Sequence, residues 1–171
     1  MITSTKLKRQ SDITDTYAIW DGIEQIYRYV LYREWNNHLS HMVIIGLNPS
    51  AADEEYDDRT VRRCINFARR EGCGSLSMLN AFALRATNPS ELLKSNDPIG
   101  IENDEHIWTE CFESSKIVIA WGTHGKLLNR QERMLKILKG KTLYCFGTNK
   151  DGTPKHPLYL GNNTKLEIFK G

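Results

Sequence analysis

Four short, continuous apolar runs fall at Met42–Leu47, Leu76–Asn80, Lys116–Trp121 and Thr142–Phe146, and each of the first three is followed by a segment of helical periodicity. A strand that is apolar on successive residues has no face left for water, so it must be covered on both sides. Intervening helices supply that cover, and right-handed crossovers make the strands they join parallel. The pattern predicts an α/β fold: a three-layer α/β/α sandwich around a central four-stranded parallel sheet.

The helical segments carry their own signatures. Asp58–Glu71 places Val61, Cys64, Ile65 and Ala68 on one face. Ile101–Ser114 does the same with Ile101, Trp108, Cys111 and Phe112, and Leu127–Lys139 with Leu127, Met134, Leu135 and Leu138. Asn88-Pro89-Ser90 opens a further short helix, with Asn88 as N-cap and Pro89 at the first helical position. Residues 1–41 differ in texture. Tyr17–Trp20, then Asp21-Gly22, then an aromatic stretch through Trp35 reads as a hairpin with an Asp-Gly turn. A helix over Ile23–Val30 fits the same residues. No repeat or linker divides the chain, so 1–171 is expected to be one domain, a 42–171 core with a 1–41 extension.

Composition narrows the function classes. At 40% hydrophobic and 26% charged the chain is expected to be a globular domain and not a disordered one. No apolar run approaches the ~18 residues that a membrane span needs. The opening MITSTKLKRQ has no apolar stretch behind it, so no secretory signal is expected and the compartment is read as cytoplasmic. Cys64, Cys73, Cys111 and Cys145 form no C-x-x-C pair; they are read as core residues of a reducing compartment, with no disulfide, metal or cluster. A formal net charge of +2 permits a nucleic-acid partner without demanding one.

In a parallel sheet the reactive groups belong beyond the carboxyl ends of the strands. After the first run comes Gly46-Leu47-Asn48-Pro49-Ser50-Ala51-Ala52-Asp53, a stiff loop that carries an amide and a carboxylate. Asn48 and Asp53 there either orient and polarise a water or only cap backbone groups. Asn80 ends the second run with an amide, the complement of a nucleobase edge or a turn cap. The third run leads into Trp121-Gly122-Thr123-His124-Gly125. The fourth leads into a long polar loop with Lys150, Lys155 and a His156-Pro157 step, where an imidazole can donate to a developing anion. Arg59, Arg62, Arg63, Arg69 and Arg70 share the polar side of the helix after the first loop, either a solvated face or a phosphate-tracking stripe.

Taken together these segments resemble the uracil-DNA glycosylase superfamily. Gly46-Leu47-Asn48-Pro49 resembles its first motif in the G-x-N-P form of the mismatch-specific and single-strand-selective branches. Leu76-Ser77-Met78-Leu79-Asn80-Ala81 resembles the strand ending in the base-reading asparagine, Ile119-Ala120-Trp121-Gly122 the next strand, and His156-Pro157 the start of the H-P-S motif. The whole sequence also resembles the family known as domain of unknown function 1643. Leu158 stands where the superfamily has Ser, Ser50 where mismatch-type enzymes have Gly, and no H-P-S-P intercalating loop is present.

The resemblance implies a monofunctional DNA glycosylase that flips a nucleotide out of the stack and hydrolyses its N-glycosidic bond without a cofactor. Asn48 would position the water, Asp53 would act as base or sugar-cation stabiliser, and His156 would stabilise the departing base. Asn80 and Leu47 would contact the base, and Tyr56 or Phe67 would stack on it. Arg59, Arg62, Arg63, Lys150 and Lys155 would hold phosphates. The small Ser50, Ala51 and Ala52 leave room for an enlarged base, such as a hypermodified cytosine of phage DNA, with an antiviral role following from that. DNA is then the partner, and a monomer is expected. A nucleoside or nucleotide hydrolase or binder on the same fold is the rival.

Overall fold

A computed structural model describes residues 6–171. The strands are β1 (Leu7–Lys8), β2 (Asp15–Trp20), β3 (Arg28–Glu34), β4 (Ser40–Gly46), β5 (Tyr56–Asp57), β6 (Cys73–Asn80), β7 (Lys116–Ile119), β8 (Leu143–Cys145) and β9 (Glu167–Ile168). The helices are α1 (Arg59–Arg70), α2 (Asn103–Glu113) and α3 (Arg130–Ile137), with 3₁₀ turns at Pro89–Lys94, Thr123–Asn129 and Pro157–Tyr159.

All four apolar runs become strands of one sheet, but the sheet is larger than expected and mixed. It has seven strands in the order β2-β3-β6-β4-β7-β8-β9. Parallel pairing joins β6 to β4, β4 to β7 and β7 to β8. Antiparallel pairs β2/β3, β3/β6 and β8/β9 flank them. A search for unbroken apolar runs misses the flanking strands. β2 is half exposed and β9 exposed, and β3, although mostly buried, carries Arg28 and Arg33. β2 and β3 are the two arms of the hairpin read around Asp21-Gly22, which excludes the helix over Ile23–Val30.

Alternate residues of each strand face opposite layers. Val43, Ile45, Leu79, Ile117 and Ile119 pack with Ile107 and Cys111 of α2 and with Met134 of α3. Met42, Ile44, Leu76, Met78 and Val118 pack with Val61, Cys64, Ile65, Phe67 and Ala68 of α1. All four cysteines are buried free thiols.

Two helical readings need correction. In α2 the covered residues are Asn103, Ile107 and Cys111, while Ile101 is 92% exposed and Trp108 and Phe112 face solvent. Buried Asn103 explains the rotation, because its Nδ2 donates to the carbonyls of Asn80 and Ala81 at 3.0 and 3.2 Å. The segment from Leu127 does not begin as an α-helix. Leu128 and Asn129 take left-handed backbone angles (φ 53° and 56°), and α3 starts only at Arg130.

Two arginines of β3 tie the amino-terminal hairpin to the loop that precedes α1. Arg28, fully buried, donates to the Ala52 carbonyl at 2.7 Å. Arg33 pairs with Asp57 at 3.1 Å, both side chains wholly buried, and also donates to the carbonyls of Asp53 and Tyr56.

Candidate functional site

The chain order reverses between β4 and β7: β4 is followed in sequence by β6 on one side, and β7 lies on the other. Such a switch point leaves a crevice beyond the strand ends. Here it is a cleft of about 1110 Å³, enough for more than a drug-sized ligand. Its walls come from the loop after β4, the first half of α1, the turn after β7 and the segment after β8.

The loop after β4 is fastened to the neighbouring strand end. Ala81 and Phe82 donate to the carbonyls of Gly46 and Leu47, each at 2.9 Å, and Ala86 donates to Pro49 at 3.0 Å. Asn48 lines the cleft with its amide fixed: Nδ2 donates to Pro49 O at 3.0 Å and Ala86 O at 2.7 Å. Both amide hydrogens are therefore spent. Oδ1 accepts no hydrogen bond among the described residues and is left to orient a water or a ligand donor. Leu47, buried, adds apolar wall.

His156 lines the same cleft. Leu158 N–H donates to its Nδ1 at 3.2 Å, so the neutral ring carries its proton on Nε2. Burial pushes the imidazole pKa down to about 4, against an upward pull from the Asp58 carboxylate. The ring is thus a neutral donor at physiological pH. Gly122 permits its position: with φ of 73°, it lies so close that an added Cβ would stand 3.3 Å from His156 Cβ. Trp121, wholly buried, forms the floor beside it and donates to Gln131 at 2.8 Å.

Asp58 is the carboxylate in the cleft, and the sequence reading passed over it. It is 6% exposed, caps α1 by accepting from Val61 N at 2.8 Å, and lines the cleft. Its signal was an Asp immediately before an amphipathic run. Asp53 instead lies off the lining. Its Oδ1 accepts from the backbone of Glu55 and Tyr56 at 3.0 and 2.9 Å, and its Oδ2 from Lys6 at 2.8 Å. Lys6 and the two backbone donors hold its pKa low against burial. The capping alternative is the one realised.

Other expected positions also shift. Asn80 is 3% exposed and off the lining, pressed beside Gly46, with its Nδ2 unpartnered among the described residues. Tyr56 pairs with β1 and lies under Lys6, away from the cleft. Phe67 packs against Phe146 in the core with the rings tilted by 35°, centroids 4.4 Å apart. Lys150 lies off the lining, whereas Arg59, Arg62, Arg63 and Lys155 are on it. Arg62 is held by Asp57 and the Lys8 carbonyl, and Arg63 by Leu160 and Asn162. Arg59 and Lys155 are exposed and bond to no other side chain among the described residues. Tyr159, 76% exposed, stands at the rim and was not singled out from sequence.

Among the described residues no cluster of His, Cys, Asp or Glu is arranged to hold a metal ion, and no helix is long and apolar enough to cross a membrane. The model of the family described as "Protein of unknown function (DUF1643)" matches residues 28–158, from the start of β3 to the turn after His156. No curated protein and no solved structure matches the chain.

Proposed function

The chain belongs to the DUF1643 family, and we propose that it is a DNA glycosylase of the uracil-DNA glycosylase superfamily, acting on a flipped-out, modified base. The observation that carries the reading is the pairing of two fixed groups in one cleft at the carboxyl ends of parallel strands. These are Asn48 with a free Oδ1 and His156 as a neutral Nε2–H donor.

The C1′–N bond breaks with its electron pair leaving on the base. The sugar passes through an oxocarbenium-like state. A water held by Asn48 Oδ1 adds to C1′ and releases a proton to solvent. His156 donates to an oxygen of the departing base. Arg59 and Lys155 hold the flanking phosphates, together with Arg62 and Arg63 of the same lining. Ser50 on the lining and the roomy cleft extend the reading to an enlarged base; Ala51 and Ala52 lie off the lining, Ala52 in the core against α1, and add no space there. A hypermodified phage cytosine, and with it an antiviral role, fits that space.

Incubation with DNAs carrying uracil, deaminated purines, alkylated bases and hypermodified phage bases tests this, with released base read by mass spectrometry. Release from one class, lost in Asn48→Ala, supports it; release from none overturns it. One observation favours a nucleotide-sized substrate on the same fold: two of the four cleft cations are bonded within the chain, which lowers the number available to a polymer. A salt series separates the two, since only a polymer shows a steep dependence of affinity on salt.

A further inference from the structure

The hydrogen-bonding inventory of the cleft is unusual for a site that would read uracil. Asn48 has spent both amide hydrogens on Pro49 and Ala86, so toward the cleft it can only accept. Asp58, nine-tenths buried, has spent Oδ1 on Val61 N, and its Oδ2 takes no hydrogen bond among the described residues. His156 has its Nδ1 occupied by Leu158, so it can only donate, once, from Nε2. These three side chains, Asn48, Asp58 and His156, therefore offer two acceptors, one of them charged, and one donor. The amide that would donate to a uracil carbonyl, Asn80 Nδ2, is off the lining.

Uracil presents two carbonyl acceptors around one ring N–H. Set against this inventory, one of its carbonyls meets an acceptor, and a buried acceptor facing an acceptor is a lost hydrogen bond with repulsion added. A base with an exocyclic amino group beside a ring nitrogen supplies the missing donors and keeps a carbonyl or ring nitrogen for His156. Charge agrees with shape. Uracil leaves as an anion, which the Asp58 carboxylate opposes. A base that takes up a proton before C1′–N cleavage carries the electron pair away as a neutral molecule, and the carboxylate favours its protonated form.

We infer that the cleft selects amino-bearing bases, of the cytosine, adenine or guanine class, against the imide bases uracil and thymine, and that Asp58 is the residue that makes the selection. The inference rests on the reading of the cleft as a nucleobase site. It deepens that reading by naming the residue that selects, Asp58, and the chemical feature selected, the exocyclic amino group, where the family's base-reading asparagine would be Asn80.

The test uses the full chain and two probes that differ at the edge in question, dCMP and dUMP, titrated by calorimetry. Wild type is expected to bind dCMP at least about tenfold tighter, the lower part of the range for one well-formed pair of hydrogen bonds to a base. Asp58→Asn keeps size and helix capping but replaces the charged acceptor by an amide that can donate. It is expected to shrink that ratio to near one or invert it. Asp58→Ser, which also caps, serves if the amide variant does not fold. Equal or tighter binding of dUMP to wild type, or an unchanged ratio in the folded variant, overturns the inference and leaves the glycosylase reading standing. Failure of folded wild type to bind either nucleotide removes the nucleobase reading of the cleft and the inference with it.

Discussion

Leu158 N–H donates to His156 Nδ1 across a single intervening residue, and this contact fixes which ring nitrogen faces the cleft. The Pro157 between them sets the turn that makes it possible. With its pKa pressed to about 4 by burial, His156 is expected to stay neutral through the physiological range. A one-dimensional NMR titration should find its ring proton moving near pH 4. A midpoint above pH 6 would show an exposed ring and remove it as a neutral donor.

The same shift affects stability. The folded pKa lies below the unfolded value near 6.5, so between those two the unfolded chain binds the proton more tightly. Stability from His156 is full above about pH 6.5 and is lost as pH falls toward 4, by up to about 3 kcal/mol. Urea melts of wild type and His156→Gln at pH 4.5 and 7 should show a smaller pH dependence in the variant. His41, whose pKa burial also lowers, keeps part of the dependence in both.

Asn48 and Asp53 are expected to separate cleanly. Asn48→Ala removes the amide oxygen that the proposed reaction uses to hold its water, and base release should fall by about 10²-fold or more with the protein folded. Asp53→Asn alters a turn cap outside the cleft, so release should stay within about threefold while the melting temperature drops by a few degrees. A large loss of release in Asp53→Asn would return that carboxylate to the chemistry.

Removing Arg59 or Lys155 should weaken DNA binding on every sequence and flatten the dependence of log affinity on log salt by about one unit each. Lys150→Ala, off the cleft lining, should change neither. Fluorescence anisotropy from low to moderate salt checks all three.

Gly125→Ala is expected to be among the most damaging single-methyl additions. The new Cβ would stand 2.0 Å from Trp121 Cδ1, so the indole on the cleft floor must move. A loss of about 1–3 kcal/mol or more is expected, with a red shift in tryptophan emission if the ring reaches water.

How much of this was legible in the sequence depends on what each residue had to reveal. The parallel strands were readable because burial on both faces leaves an apolar run that no other local structure explains. That Asn48 and His156 line the cleft was readable because each sits beside a proline in a segment that follows a strand of the parallel set. Asp58 was not, because a helix cap and a cleft carboxylate look the same until the segments after β4, β7 and β8 meet around it. Asp53 and Asn80 misled for the converse reason. Each sits in the right stretch of chain, but side-chain direction is settled by partners distant in sequence: Lys6 for Asp53, and the close approach of Gly46 for Asn80. The exposed side of α2 was misassigned because one buried polar residue, Asn103, outweighed two aromatics in setting the helix's rotation.

The arginines of β3 have a consequence for how this molecule can be divided. Arg33 neutralises a wholly buried Asp57, one residue before the cap of α1, and Arg28 holds the carbonyl of Ala52 in the same loop. Cutting the hairpin away, or grafting 42–159 onto another scaffold, would leave a wholly buried carboxylate beneath the cleft wall with the longer 3.6 Å contact to Arg62 in place of its closer partner Arg33. Losing one partner of such a pair costs about 3–5 kcal/mol, a large part of what holds a domain of this size together. The hairpin is therefore not an ornament on a self-sufficient core but the counterion of the loop that shapes the cleft, and the smallest heritable unit of this fold begins no later than β3.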